Sequence, residues 1–182
     1  MSPLPRPNIH PPVRRLHGET VLAFGSNLGD REATIRAAIA ELDARGDIRV
    51  KAVSSLIGSV AVKPGGEDLT APPYLNAVAI ILTTLGPHEL LDVTSAIEQN
   101  HGRVRTERWG DRTLDIDIIA IGDRVISDER LIVPHPRAAE REFVLAPWLE
   151  IDPNAELPGL GRVDAVLARL RESRPAQDGT PA

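Results

Sequence analysis

An apolar run from Leu114 to Ile121 carries two aspartates two positions apart, Asp115 and Asp117. The run is rich in β-branched isoleucine, which predicts a β-strand. Side chains alternate along a strand, so both carboxylates are expected on one face, about 7 Å apart at about 3.3 Å per residue. Alternation also predicts Ile119 and Ile121 on that face, which makes it partly buried. Two carboxylates this close in an apolar setting repel each other unless a cation lies between them.

A segment rich in arginine comes directly before this strand. Residues 102–112 hold four arginines against Glu107 and Asp111. Guanidinium groups match phosphate oxygens, and Mg²⁺ prefers one or two carboxylates together with the oxygens of a phosphorylated substrate. An aspartate pair alone is common on solvent-facing strands, and an arginine-rich loop alone is commonly a solvated surface. Their combination predicts a site for a metal ion and a polyphosphate.

The composition narrows the class of protein. The chain has 182 residues, of which 42% are hydrophobic and 26% charged, as in an ordinary globular protein of one domain. Its net charge of −5 argues against a nucleic-acid partner. No apolar stretch approaches the ~20 residues of a membrane span. The absence of cysteine excludes thiol catalysis and thiolate metal sites and fits a cytoplasmic location.

The order of predicted elements indicates the fold. Strands are predicted at 20–24, 48–54, 56–62, 74–83 and 114–121, with a pause near Ser54-Ser55. Helices are predicted after the cap Asp30, from Pro87 to Gly102, over 137–149 with a break at Pro147, and over 163–170. A turn at Gly122-Asp123 predicts a hairpin with Val125-Ile126. The order β-α-β-β-α-β is typical of a ferredoxin-like α+β sandwich with an antiparallel sheet, here followed by a C-terminal hairpin and helices.

Both ends and one internal segment are predicted to lack regular structure. Five prolines among residues 1–17 predict a flexible tail, residues 18–172 a single domain, and residues 173–182 a second flexible tail. Residues 63–73 form a long loop rich in glycine and proline, a type that is commonly functional or disordered.

The strand at 74–83 carries the residues expected to hold a flat ligand. Alternation places Tyr74, Asn76, Val78 and Ile80 on one face. A ring stacked on the phenol of Tyr74 can meet the amide of Asn76, which can both donate and accept hydrogen bonds. Core packing alone also explains Tyr74, but an amide within an apolar strand requires polar partners.

Several motifs in a fixed order resemble those of the 6-hydroxymethyl-7,8-dihydropterin pyrophosphokinase family of folate biosynthesis. The resemblance spans about residues 20 to 170, and the block from Arg108 to Asp117 is its most specific part. The motifs are Phe24-Gly25-Ser26-Asn27-Leu28-Gly29, Tyr74-Leu75-Asn76-Ala77, Gly102-Arg103-Val104-Arg105, Arg108-Trp109-Gly110, Arg112-Thr113-Leu114-Asp115-Ile116-Asp117 and Val133-Pro134-His135-Pro136.

The resemblance implies an ATP-dependent enzyme that moves a pyrophosphoryl group onto the hydroxymethyl oxygen of the pterin and releases AMP. It implies two Mg²⁺ ions bound by Asp115 and Asp117, with ATP as co-substrate, and other enzymes of the folate pathway as candidate partners. The implied catalytic residues are Arg103, Arg112, Asp115 and Asp117. The implied ATP-binding residues are Glu98, Arg103, Arg112, Ile118, His135 and Arg141. The implied pterin-binding residues are Tyr74, Asn76, Phe143 and Asp115.

Two other classes of function fit parts of the sequence. Ferredoxin-like domains also occur as non-catalytic modules that bind nucleotides or other ligands, but such a module has no need of the aspartate pair with Arg103, Arg112 and His135. A different metal-dependent phosphoryl or nucleotidyl transferase could use the same aspartates, but the Tyr74/Asn76 face favours a flat heterocycle. The sequence lacks a Walker-type phosphate loop, which excludes an ordinary P-loop kinase.

Overall fold

A computed structural model of the chain describes residues 18–63, 66–68, 72–102 and 113–173. The main strands are β1 (Glu19–Ser26), β2 (Ile48–Val53), β3 (Ile57–Ser59), β4 (Ala61–Lys63), β5 (Gly66–Asp68), β6 (Tyr74–Thr83) and β7 (Asp115–Ile121). Four short strands follow: β8 (Ile126–Ser127), β9 (Ile132–Val133), β10 (Glu156–Leu157) and β11 (Gly161–Arg162). The α-helices are α1 (Arg31–Asp43), α2 (Pro87–Asn100), α3 (Glu142–Ile151) and α4 (Val163–Ser173), and a 3₁₀ turn covers Ala138–Glu140.

One antiparallel sheet organises the domain. Its strand order is β2-β6-β1-β7, and β3 continues the β2 edge by pairing with the start of β6. This order, with α1 after β1 and α2 after β6, confirms the predicted ferredoxin-like βαββαβ sandwich. The pause between β2 and β3 at Ser54-Ser55 was also predicted correctly.

The sheet is covered on both faces by apolar side chains. Leu22, Phe24 and Ile81 belong to one core cluster, which also contains the buried apolar residues of α1 and α2. Val21, Val78 and Ile119 belong to a second cluster with the buried residues of α3 and α4. The sheet therefore separates two hydrophobic layers.

No helix within the described ranges is long and apolar enough to cross a membrane.

A bulge in β7 corrects the prediction for Ile121. Along β1, Val21 pairs with Ala120 but Leu22 pairs with Ile118, so Ile119 is an extra residue on β7. The bulge leaves Ile119 on the aspartate face with α3 and α4, whereas Ile121 turns to the opposite core cluster. An extra residue in a strand reverses the alternation beyond it. The predicted placement of Ile119 is confirmed and that of Ile121 was wrong.

The helix starts follow local chemistry. Asp30 Oδ1 accepts a hydrogen bond from the N–H of Ala33 at 3.1 Å and so caps α1, as predicted. Pro87 is the first residue of α2, where a missing N–H costs nothing. The predicted break at Pro147 was wrong, because Pro147 is buried within a continuous α3.

Two local predictions were also wrong. Val125-Ile126 does not form a hairpin with β7, because Ile126 pairs with Val133 of β9. The segment 63–73 is not free of regular structure, because β5 pairs with β4. At the C-terminal end α4 extends to Ser173, three residues beyond its predicted end. The predicted tail at 1–17 and residues 174–182 lie outside the described residues.

Candidate active site

The candidate site lies on the sheet face that carries α3 and α4, at the point where their apolar cover ends. Val21, Val78 and Ile119 on this face are buried. Farther along the same face, Ala23 and Gly25 of the central strand are only partly buried. Tyr74, Asp115 and Asp117 are partly buried as well. The sequence therefore places its polar residues at the open end of an otherwise apolar surface.

Strand register brings the predicted ring-binding and metal-binding residues to opposite sides of β1. Gly25 pairs with Asn76 of β6 on one side and with Asp115 of β7 on the other. Two residues earlier in β1, Ala23 pairs with Val78 and with Asp117. Adjacent strands are about 4.8 Å apart, so about 10 Å separates the Asn76 and Asp115 backbones.

Asp117 lies in a charged cluster with Arg141 and His135. Arg141 Nη1 donates a hydrogen bond to Asp117 Oδ2 at 2.6 Å, and His135 Nε2 lies 3.8 Å from the same oxygen. The side chains of Arg141 and Asp117 are 18% and 27% exposed, which is well below the exposure of an ordinary surface ion pair. The guanidinium therefore compensates the Asp117 carboxylate in the free protein. Arg141, His135 and Asp117 were all predicted as site residues, and the fold brings them together.

The loop after β9 fixes the orientation of His135. The N–H of His135 donates to the carbonyl of Ile119 at 2.9 Å, and His135 Nδ1 accepts from the N–H of Arg137 at 3.1 Å. An accepting Nδ1 places the proton of the neutral ring on Nε2, which faces Asp117. Burial lowers the pKa of the His135 imidazole, and the Asp117 carboxylate opposes this shift. These contacts favour a neutral His135 ring whose Nε2–H can donate a hydrogen bond within the cluster.

Asn76 is buried, and its amide nitrogen is bound within the protein. Nδ2 donates to Ser59 Oγ at 2.8 Å and to the carbonyl of Ile57 at 3.3 Å. Its Oδ1 is directed toward Gly25, since a Cβ built on that glycine lies 3.4 Å from this oxygen. The expected partners of the buried amide are therefore supplied in part by β3. Ser59 was not predicted, although its register opposite Tyr74 follows from the pairing of β3 with β6.

Tyr74 and Phe143 approach the site from two elements. Tyr74 begins β6, and Phe143 lies in the first turn of α3, where it packs against the second core cluster. The guanidinium carbon of Arg141 lies 5.7 Å from the centre of the Phe143 ring. This cation–π contact joins the ring to the Asp117 cluster.

Glu98 supports the aspartate strand from α2. Its carboxylate is buried, and Oε1 accepts the N–H of Ile116 at 2.7 Å. Ile116 lies between Asp115 and Asp117 on an edge strand, so this N–H would otherwise need water as its partner. This contact gives Glu98 a positioning role on β7, and its contact with ATP stays a prediction.

A cavity of about 300 Å³ opens beside Asp117. Its apolar wall includes Ile118, which was predicted for a nucleotide base, and Leu91 of α2. Asp117 and His135 lie at its polar side. A volume of this order lies at the lower end of the range of small-molecule pockets, about 300–1,000 Å³.

The turn between β8 and β9 forms another wall of this cavity and was missed by the sequence analysis. Asp128 Oδ1 accepts the N–H groups of Arg130 and Leu131, and these bonds lower the pKa of Asp128. Two side chains of α2 hold the turn from outside: His88 Nε2 lies 2.9 Å from Asp128 Oδ2, and Asp92 pairs with Arg130. Residues Asp128–Ile132 all line the cavity. An aspartate two or three residues before its backbone donors is the signal that identifies such a turn.

The predicted residues Arg103 and Arg112, and the whole segment 103–112, lie outside the described residues.

The carboxylates of Asp115 and Asp117 fit a Mg²⁺ site whose remaining ligands come from the substrate and from water. Asp115 and Asp117 project from one strand face, and the described part of the chain contains no cluster of three or more His, Cys, Asp or Glu side chains suited to a metal. Mg²⁺ is commonly bound by one or two carboxylates and by phosphate oxygens, with water in the remaining positions. The aspartate pair meets that requirement.

Comparison with known proteins decides the family. Residues 21–153 match the model of the 7,8-dihydro-6-hydroxymethylpterin-pyrophosphokinase (HPPK) family. The chain belongs to this family. Proteins named 2-amino-4-hydroxy-6-hydroxymethyldihydropteridine pyrophosphokinase are similar to it. The one from Bacillus subtilis is 47% identical over 130 residues, which are 71% of this chain and 75% of that protein. The one from Methylorubrum extorquens is 43% identical over 152 residues, which are 84% and 93%.

HPPK domains are also found within larger proteins. The folate synthesis bifunctional protein of Arabidopsis thaliana, a mitochondrial protein, is 42% identical over 139 residues, which cover 76% of this chain and 24% of that protein. The crystal structure of wild-type Plasmodium falciparum HPPK-DHPS with pteroate superposes with a TM-score of 0.63 at 14% identity. The alignment covers 87% of this chain and 44% of that one, so this chain spans less than half the length of that protein. At this identity the likeness supports the fold alone.

Proposed function

We propose that this HPPK family member transfers the pyrophosphoryl group of ATP to the hydroxymethyl oxygen of 6-hydroxymethyl-7,8-dihydropterin, giving AMP and the pterin diphosphate in folate biosynthesis. The observation that carries the proposal is the arrangement around β1. The Tyr74/Asn76 face and the Asp115/Asp117 pair meet on one open sheet surface, and a cavity of about 300 Å³ opens beside Asp117 at the sheet edge. A face for the ring, a metal-binding pair and a nucleotide pocket at the adjoining sheet edge are what this reaction requires.

The pterin is assigned to the β6 side of the site. Tyr74 and Phe143 supply aromatic faces for the ring, and Asn76 Oδ1 is available to accept from an N–H at its edge. Nδ2 of Asn76 is already hydrogen-bonded to Ser59 and Ile57. Asn76 therefore favours a ligand group that donates a hydrogen bond to Oδ1 over one that accepts a bond from Nδ2. Asp115 then lies on the far side of β1, next to the hydroxymethyl arm.

ATP is assigned to the β7 side. The adenine ring enters the cavity lined by Ile118 and Leu91, and the phosphates extend toward Asp117 and His135. Arg141 and the Nε2–H of His135 supply positive charge and a hydrogen bond there. By the family resemblance, Arg103 and Arg112 add further phosphate contacts.

The reaction is a displacement at the β-phosphorus of ATP. The hydroxymethyl oxygen forms a bond to that phosphorus, and the bond from the phosphorus to the oxygen that bridges to the α-phosphate breaks. AMP leaves with that oxygen, and the alcohol proton is lost from the attacking oxygen. The contribution of the protein is to align the two substrates and to balance the phosphate charge, effects that can supply most of the acceleration of phosphoryl transfer.

Mg²⁺ held by Asp115 and Asp117 belongs to the proposal. When bound there, Mg²⁺ would neutralise phosphate oxygens and favour departure of AMP. Arg141 compensates Asp117 in the free protein, and its guanidinium would be available to phosphate when Asp117 holds Mg²⁺. The proposal also includes two ions, a cytoplasmic location and cooperation with another enzyme of the folate pathway.

Product analysis tests the proposal. The protein is incubated with ATP, Mg²⁺ and 6-hydroxymethyl-7,8-dihydropterin, and the nucleotides are separated by chromatography. We expect one AMP for each pterin consumed. Formation of ADP would indicate a different phosphoryl transferase, and binding of ligands without turnover would indicate a non-catalytic module.

A further inference from the structure

One carboxylate of α1 joins the end of α2 through two contacts. Asn100 Nδ2 donates a hydrogen bond to Glu41 Oε1 at 3.1 Å, and His101 Nε2 lies 3.2 Å from Glu41 Oε2. An ionised carboxylate only accepts hydrogen bonds, so Nε2 of His101 carries a proton in this contact. Glu41 therefore holds two consecutive residues, the last residue of α2 and the residue that follows it.

These contacts fix a helix end that apolar packing alone does not orient. Leu42 and Ile97 place α1 and α2 in the same core cluster, but apolar burial has no preferred direction. The last carbonyls of a helix have no partner within it, and the last turn of α2 contains no basic residue that could bind them. The side chain of His101 is 21% exposed, so its contact with Glu41 is screened less than a fully exposed pair. The hydrogen bonds of Glu41 thus define where the last turn of α2 lies.

The last turn of α2 also carries the residue that holds β7. Glu98 lies three positions before His101, and its buried carboxylate accepts the N–H of Ile116 between the two aspartates of the strand. The turn is closed by a hydrogen bond from the His101 N–H to the carbonyl of Ile97 at 3.1 Å, which makes it one hydrogen-bonded unit. A shift at His101 is therefore transmitted to Glu98 and to the strand that carries the aspartate pair.

The end of α2 is also where the chain enters the arginine-rich segment and returns from it. Gly102 turns the chain with a φ of 80°, and Thr113 Oγ1 lies 3.5 Å from the Gly102 carbonyl oxygen. Residues 103–112 thus leave and rejoin the described fold at one place, next to the last turn of α2. Arg103 and Arg112, the phosphate-binding residues implied by the family resemblance, are the first and last residues of that segment.

We infer that Glu41 is a positioning residue for the proposed reaction. It fixes the last turn of α2 and, with it, Glu98 and the point from which the chain continues to Arg103. The inference rests on the proposed function. The cavity beside Asp117 takes its α2 wall from Leu91, about 2.5 turns earlier in the helix, so binding of the nucleotide base should depend little on Glu41. Glu41 acts on the alignment of the reacting groups and not on affinity for the base.

The substitution Glu41→Ala removes both contacts. We expect kcat to fall about 5-fold or more, because small displacements of aligned groups are costly, while the KM for ATP changes less than about 2-fold. Glu41→Gln should retain most of the activity, because its carbonyl oxygen accepts from Asn100 and its amide N–H can donate to Nε2 of His101 once the ring proton is on Nδ1. A kcat for Glu41→Ala within about 2-fold of the wild type, or equal losses in the two variants, would overturn the inference.

Glu32→Ala is the matched control, because it removes an acidic side chain of the same helix whose ion-pair partner, Arg36, also lies on α1. Contacts of this exposure have little effect on stability. Glu32→Ala should therefore leave kcat and KM unchanged. A loss of kcat in Glu32→Ala equal to that in Glu41→Ala would indicate a general effect of α1 on activity and would overturn the inference.

Amide hydrogen exchange tests the same link without turnover. The N–H of Ile116 is bonded to Glu98 in the wild type. In Glu41→Ala this N–H should exchange about 5-fold faster relative to the amides of the central strand β1, whose exchange reports global unfolding. Glu32→Ala should show no such difference. Unchanged relative exchange of the Ile116 N–H in Glu41→Ala would overturn the inference.

Failure of the inference is distinguishable from failure of the proposed function. If the wild type forms no AMP from ATP and the pterin, the proposed function fails and the inference fails with it. If the wild type turns over but Glu41→Ala keeps the full kcat or the wild-type exchange of Ile116, only the role of Glu41 fails.

Discussion

Arg141 Nη1 donates to Asp117 Oδ2 at 2.6 Å, so the carboxylate assigned to metal binding is compensated by a cation while the protein is free. Asp115, its neighbour on the same face, lies on the opposite side of β1 from Asn76. Asp117 therefore has a defined cationic partner in the free protein. In the proposed reaction Asp117 lies on the phosphate side of the site and Asp115 on the alcohol side.

The proposed metal role predicts a large loss of activity for both alanine variants. Asp115→Ala and Asp117→Ala should each lower turnover by about 10³-fold or more, as expected when a main electrostatic stabiliser is lost. Asp117→Ala leaves Arg141 without its hydrogen-bonded partner, so this variant should lose about 1–3 kcal/mol of stability. Steady-state kinetics and urea unfolding measure the two effects. Near-normal turnover of either variant at saturating Mg²⁺ would contradict the metal assignment.

We expect Glu98 to affect activity by holding β7, the strand that carries Asp115 and Asp117, in position. Glu98→Gln keeps an oxygen that can accept the N–H of Ile116, whereas Glu98→Leu leaves that N–H without its partner. We expect Glu98→Leu to lower stability by about 1–3 kcal/mol and to reduce kcat, with most of the activity retained in Glu98→Gln. Equal activity loss in both variants would indicate that the charge of Glu98 acts directly on ATP.

The contacts from α2 to the β8–β9 turn should affect nucleotide binding. The double variant His88→Gln, Asp92→Asn weakens two exposed contacts, each worth at most about 1 kcal/mol, so the KM for ATP should rise about 5-fold with kcat nearly unchanged. Glu32→Gln, which disrupts the exposed Glu32–Arg36 pair on α1, is the control. Tighter ATP binding in the double variant would instead show that Asp92 competes with phosphate for Arg130.

The contact between α3 and the β2–β3 junction predicts a pH dependence of stability. Glu150 Oε1 accepts from Ser55 Oγ at 2.6 Å and from the Ser55 N–H at 2.9 Å, and these bonds lower the pKa of Glu150. The unfolded state therefore binds a proton at higher pH than the folded state, so the stabilisation is complete above the unfolded pKa, about 4.3, and is lost as the pH falls through the lower folded pKa. The difference in melting temperature between wild type and Glu150→Gln should be largest at neutral pH and shrink in acid.

The control for this measurement is Glu156→Gln, which removes an exposed carboxylate on β10. A difference for Glu150→Gln that stays constant down to about pH 3, well below the usual glutamate pKa, would contradict the proposed linkage.

Residues with strong local signals were predicted correctly from the sequence. The alternation of Tyr74, Asn76, Val78 and Ile80 fixed one face of β6, and Asp30 and Pro87 located two helix starts. Tertiary contacts decided the rest. The bulge at Ile119 reversed the face of Ile121, and burial against the sheet kept α3 continuous through Pro147.

The site residues also divide into those that the sequence predicts and those that depend on tertiary contacts. Asp117, Ile118, His135 and Arg141 were predicted from the family resemblance, and the fold brings them close together. The cavity wall at Asp128–Ile132 and the Ser59–Asn76 hydrogen bond were missed. Both depend on which strands pair, and strand pairing cannot be deduced from a segment of two or three residues.

The most direct test of the central claim follows the transferred group itself. ATP labelled in the β-phosphate is incubated with the protein, Mg²⁺ and 6-hydroxymethyl-7,8-dihydropterin, and the label is located among the separated products. We predict that the label appears in the pterin diphosphate with the wild type and that its transfer is nearly abolished in Asp115→Ala. Label recovered in ADP or in inorganic pyrophosphate, or undiminished transfer by the variant, would contradict the account.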